Sequence, residues 1–77
     1  MSIEAKKIKN HQIKFGFQLK KIRLRKNMSQ LDLASYCNLE KTSISRIENG
    51  RTNITLKTMV LLSKALDVKI ADFFDFD

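Results

Sequence analysis

Ser29 to Gly50, SQLDLASYCNLEKTSISRIENG, is the stretch on which the fold turns. Ser29 suits a helix start, because its hydroxyl can accept an orphan backbone N–H and Asp32 follows three residues later. A helix from about Gln30 to Cys37 results, with Leu33, Ala34 and Cys37 on its inner side. Asn38 and Leu39 leave space only for a tight turn. The next helix runs from Lys41 to about Asn49, and Gly50 can close it in the left-handed conformation. The small Ala34 permits a close crossing, so the second helix of the pair is pushed outward from the body of the domain.

At about 100° per residue, Lys41, Thr42, Ser45, Arg46 and Asn49 share one side of that helix, while Ile44 and Ile47 lie on the opposite side. The apolar side is an anchor. The polar side matches the chemistry of a DNA groove floor: Lys and Arg donate to guanine O6 and N7, and Thr offers a hydroxyl and a methyl that fits thymine. A helix held outward by a tight turn can enter the major groove, which is roughly 12 Å wide. Taken alone, an ordinary amphipathic surface helix is the simpler reading, and the flanking sequence has to decide.

Working outward, Phe15, Leu19 and Ile22 form a helical stripe that defines a first helix ending before Asn27. On the other side, Thr55 caps a fourth helix with Leu56, Met59, Leu62, Ser63 and Leu66 on one face, ending near Asp67. Lys69 to Phe74 reads as a fifth, short helix. No period-two alternation or hairpin dipeptide indicates a strand. The fold class is therefore all-α, a compact five-helix unit. Residues 1–13 are polar and Lys-rich and read as a basic N-terminal arm or a helix extension, followed by a domain at 14–77.

Seventy-seven residues support one core, and association with a second copy would help so small a fold. The formal charge is +7 and is unevenly placed: residues 1–26 carry nine Lys or Arg against Glu4 alone, whereas Asp67, Asp72, Asp75 and Asp77 make the tail acidic. One polyanion-facing side suits such an asymmetry. Cys37 is the only cysteine and His11 the only histidine, so neither a disulfide nor a four-ligand zinc site from these types is available. No apolar run approaches the roughly 18 residues of a membrane span, and no secretory signal pattern is seen, which gives a cytoplasmic expectation. No paired acid and base, Gly-rich phosphate loop or nucleophile constellation is present, so catalysis, cofactors and a small-molecule ligand are not expected.

Phe15-Gly16 with Leu19, Ile22-Arg23, Met28-Ser29-Gln30, Leu33-Ala34 and the run Thr42 to Gly50 closely resemble the Cro/C1-type helix-turn-helix family. The likeness continues through Leu56, Met59, Leu62, Leu66, Val68 and Phe73-Phe74, about residues 14 to 74. It implies a lambda-repressor-like five-helix domain. The function it implies is transcription regulation, by a homodimer that places its third helix in the major groove of a palindromic operator. Lys41, Thr42, Ser45 and Arg46 match the family's base-facing positions. Ser29, Gln30, Asn49, Arg51 and Asn53 fall where phosphates are gripped, with Gln30 also steadying the recognition helix. Arg23 and Glu48 match a pair that ties the first helix to the end of the third, a structural role that fits the repulsion an unpaired Glu48 would exert on DNA.

Two positions depart from the pattern: Glu40 replaces the usual Ser or Thr cap, and Ile54 stands where many relatives have proline. Asn38 to Thr42 and the loop Arg51 to Thr55 are similar to controller proteins of restriction-modification systems, though phage repressors and general regulators share most of these residues. Phe17, Leu24, Val60, Leu61 and Phe76 lie off the main stripes and are candidates for a dimer seam. The expected partners are duplex DNA and a second copy, with contact to RNA polymerase left open. A protein-interaction module is the competing class. RNA binding is disfavoured by the lack of exposed aromatic clusters.

Overall fold

The structure, a computed structural model, describes residues 2–76. Four α-helices follow one another: α1 (Ile3–Arg25), α2 (Gln30–Tyr36), α3 (Lys41–Glu48) and α4 (Leu56–Leu66). A 3₁₀ helix, Ile70–Phe74, completes the chain, and no strand occurs among the described residues. The expectation of five helices is corrected in its last member. That segment is only five residues long, and it closes by i to i+3 bonding, with the Asp72 N–H donating to the Lys69 carbonyl at 2.9 Å. The Asp72 carboxylate in turn accepts from the Lys69 N–H at 3.0 Å. Phe73 is thereby delivered, fully buried, to the core.

All four α-helices stop in the same way. Asn27, Asn38, Gly50 and Asp67 have positive φ (58°, 54°, 69° and 55°). After each, the next N–H reaches back to a carbonyl inside the helix: Met28 to Arg23, Leu39 to Ala34, Arg51 to Arg46 and Val68 to Ser63, all within 3.2 Å. These bonds satisfy carbonyls that a helix end otherwise leaves without partners. Asn and Asp tolerate the left-handed region better than other side-chain-bearing residues, so three of the four stops need no glycine.

The starts differ. Ser29 caps α2 in a reciprocal box: its hydroxyl accepts from the Asp32 N–H and the Asp32 carboxylate accepts from the Ser29 N–H, both at 2.9 Å. The Ser29 N–H first, and then the Ser29 hydroxyl, hold the Asp32 carboxyl below its ordinary pKa. Ser2 and Thr55 cap α1 and α4 through their hydroxyls. Glu40 precedes α3 without a side-chain cap bond.

The core combines Phe15, Leu19 and Ile22 of α1 with Leu33, Ala34 and Cys37, Ile44 and Ile47, Leu62 and Leu66, and Phe73. Burial raises the Cys37 thiol's pKa, as expected of a core filler. Ile54 packs against this cluster. Gly16 has a more specific task. A Cβ there would sit 2.6 Å from the Glu48 carbonyl oxygen, so α1 can cross the C-terminal end of α3 only because this position is bare.

The helix α1 is continuous through residues 13 and 14. Its leading turns carry few core contacts, with Ile3 and Ile8 exposed. His11 is exposed and stands edge-on to Phe76, with ring centroids 6.4 Å apart. Among the seam candidates, Phe17 and Leu24 are exposed, while Val60, Leu61 and Phe76 are half-buried.

Candidate nucleic-acid interface

The start of the site is the uneven burial of α3. Ile44 is 0% exposed and Ile47 6%, whereas Lys41, Thr42 and Arg46 are exposed and Ser45 is half-buried. Eight residues are too few for a stable isolated helix, so packing of the isoleucines is what keeps the polar side presented. Lys41, Thr42 and Ser45 share a shallow hollow of about 170 Å³ with Gln30 of α2. Three of the four base-facing candidates are thus brought together, whereas Arg46 lines a separate hollow of about 190 Å³ with Ser43, Thr52, Asn53 and Thr58.

The Thr42 hydroxyl donates to Glu40 Oε2 at 3.3 Å. Glu40 thus occupies the hydroxyl of one of the residues expected to face bases.

Behind this surface, the far end of α3 is fixed by a buried network. Arg23 Nε and Nη2 donate to Glu48 Oε2 and Oε1 at 2.6 and 3.0 Å, and Arg23 Nη1 donates to the Met28 carbonyl at 2.8 Å. Gln30 Nε2 adds a third bond to Glu48, 3.0 Å to Oε1. The paired guanidinium and carboxylate are 5% and 8% exposed as residues, so geometry of this quality is needed to offset their desolvation. Glu48 is consumed by this network and kept away from the exposed side. Gln30 joins α2 to α3 at the hollow's edge.

The remaining phosphate candidates lie outside this hollow. Ser29, Asn49, Arg51 and Asn53 are exposed. The Ser29 hydroxyl accepts from the Asp32 N–H and also faces the Asp32 carboxylate. Asn49 Nδ2 makes only a long 3.4 Å contact to Ser45 Oγ. Arg51 and Asn53 are on the loop between α3 and α4, away from the hollow but next to α1. There Lys9 Nζ donates to the Gly50 carbonyl at 2.6 Å, and Gln12 Nε2 donates to Asn53 Oδ1 at 2.5 Å. Sequence reading missed Lys9 and Gln12 as parts of the site. Single hydrogen bonds across 41 residues leave no periodic trace in a sequence.

No helix of the described residues is long and apolar enough to cross a membrane, and these residues hold no cluster of three or more His, Cys, Asp or Glu that could bind a metal.

Two packed helices joined by a tight turn, with the second one presenting a cationic and hydroxyl-bearing face, define a helix-turn-helix protein. A helix-turn-helix family model matches residues 19–73. The chain belongs to the Cro/C1-type helix-turn-helix family. Within it, the chain is 46% identical over 68 residues to Control protein C.BamHI of Bacillus amyloliquefaciens, covering 87% of this chain and 84% of that one. Control protein C.MunI of a Mycoplasma species is 36% identical over 63 residues, covering 80% and 85%. Among solved structures, the restriction-modification controller C.AhdI from Aeromonas hydrophila matches with a TM-score of 0.80 at 32% identity, over 82% of this chain and 96% of its own. The controller C.Esp1396I, solved as a tetramer with its natural 35 base-pair operator, matches with a TM-score of 0.75 at 45% identity, over 84% and 86%.

Proposed function

We propose that this chain is a sequence-specific regulator of transcription that binds a palindromic operator in duplex DNA as a homodimer, with α3 in the major groove. The observation that carries the reading is the exposure of Lys41, Thr42 and Arg46 on α3 while Ile44 and Ile47 of the same helix are buried. Lys41, Thr42, Ser45 and Arg46 read base edges, and Ser29, Gln30, Asn49, Arg51 and Asn53 grip phosphates that fix the register. The operator complex of C.Esp1396I supports this assignment by likeness. Its relatives are control proteins and regulators, not enzymes, and no step here is catalytic.

The organisation proposed with it is a basic leading segment, 1–13, followed by a DNA-binding domain at 14–77, acting in the cytoplasm. One α3 contacts only a few base pairs, so two copies related by a two-fold axis supply the needed site length. Phe17, Leu24, Val60, Leu61 and Phe76 remain the candidates for the seam between them. The charge asymmetry places most of the cations in the first 26 residues and acids at the tail, which favours one orientation on DNA.

Selection from random duplex DNA, followed by a salt titration, tests this reading. A palindromic site is expected, with log affinity falling against log salt by roughly 0.9 per neutralised phosphate. Featureless, weak retention of all sequences would instead favour a protein-interaction module.

A further inference from the structure

Resting on the phosphate-gripping role given above to Asn53, we infer that Gln12 is a positioning residue of the DNA interface: it sets which end of the Asn53 amide faces the duplex.

A carboxamide has one end that accepts hydrogen bonds and one that donates them, and phosphate oxygens only accept. Asn53 can therefore grip a phosphate only with its Nδ2 outward. Left alone, an exposed amide turns freely and spends much of its time with the wrong end presented. Here Gln12 Nε2 donates to Asn53 Oδ1 at 2.5 Å, across 41 residues of sequence. That bond occupies the accepting end and leaves both Nδ2 protons free. Asn53 itself is exposed, so those protons are open to a ligand.

Ile54 packs the loop against the core and the Thr55 hydroxyl caps α4, but the side-chain bonding within Arg51 to Asn53 is limited to a 3.5 Å contact from the Thr52 hydroxyl to the Asn53 carbonyl. The leading turns of α1 supply the fixation. Lys9 Nζ donates to the Gly50 carbonyl at 2.6 Å, and a Cβ at Gly50 would meet the Ile13 Cα at 2.8 Å, which shows how closely α1 lies against the loop. The stretch of α1 that carries Gln12 is held against the loop by these neighbouring contacts, and the Gln12 side chain is half-buried there. The basic leading segment is thus part of the binding surface through the loop that it orders, even where its own lysines touch no phosphate.

The test is a double-mutant cycle on operator affinity with Gln12→Ala, Asn53→Ala and the double variant, plus Gln12→Glu. Asn53 is exposed and Gln12 half-buried, and a thermal melt of each variant controls for folding. The expected results are a loss of about threefold to tenfold for Gln12→Ala, corresponding to one modest hydrogen bond, and no further loss when it is added to Asn53→Ala. Base preference, read by competition among operator variants, is unchanged. Gln12→Glu is expected to bind more weakly than Gln12→Ala, because a carboxylate accepts and so turns the Asn53 carbonyl outward. Unchanged affinity in Gln12→Ala with a clear loss in Asn53→Ala overturns the positioning role alone, as do losses that simply add in the double variant. Unchanged affinity in Asn53→Ala overturns the phosphate role of Asn53 and the inference with it.

Discussion

The two ends of α3 are built on opposite principles. Its last turn is enclosed: Glu48 is buried and takes two bonds from Arg23 and one from Gln30, and Gly16 brings α1 against its carbonyls. Its first turn is open, begins at Glu40 without a side-chain cap, and exposes Lys41 and Thr42. The difference separates two duties within eight residues. One end ties the helix to the domain, and the other stays exposed, with the Thr42 hydroxyl bonded to the neighbouring Glu40.

If that division is right, substitutions at the enclosed end should affect stability first, and those on the open face should affect binding alone. Glu48→Ala is expected to have the largest effect, about 3 to 5 kcal/mol lost in urea unfolding, because it strands a buried guanidinium. Gly16→Ala comes next. Its methyl would press on backbone carbonyls that cannot swing away, which should cost roughly 2 to 3 kcal/mol in the same measurement. Arg46→Ala should leave the unfolding midpoint in place while weakening operator binding by about 1 to 3 kcal/mol and relaxing preference at one base position, as read by competition with operator variants.

The smallest change sharpens the comparison from the other side. Glu40→Ser would give α3 the hydroxyl cap that it lacks and release the Thr42 hydroxyl, so stability should rise by about 0.5 to 1 kcal/mol. The Ser29 and Asp32 box predicts a pH dependence at the start of α2. Because the Asp32 pKa is lowered in the folded chain, its contribution is present above the ordinary carboxylate pKa of 3.8 and is lost as pH falls through the folded value. Unfolding curves of Asp32→Asn and the parent chain should therefore converge in acid.

The sequence made the core and the outward face of α3 readable because both depend on periodicity. Leu19 with Ile22, Leu33 with Cys37, and Ile44 with Ile47 follow helical spacing, and all are buried. Ser29, Thr55 and Gly50 also acted at the ends where their chemistry placed them. What stayed hidden depends on contact between distant segments. Gly16 looked like an interior helix residue until the α3 carbonyls beside it were known. The leading turns of α1 carry lysines and scattered isoleucines with no stripe, so their attachment to the loop at Gly50 and Asn53 could not be read in advance. The final segment has apolar residues suited to a helix, but five residues after the left-handed Asp67 settle into a 3₁₀ turn.

Chemical modification of the operator examines most directly whether the open face of α3 lies in the major groove. Dimethyl sulfate methylates guanine N7 on the major-groove side and adenine N3 on the minor-groove side. The bound protein should shield guanine N7 in two symmetric patches about one helical turn apart, and Arg46→Ala should lose shielding at a single guanine in each. Shielding confined to adenine N3, or guanines equally reactive with and without protein at saturation, would contradict the account.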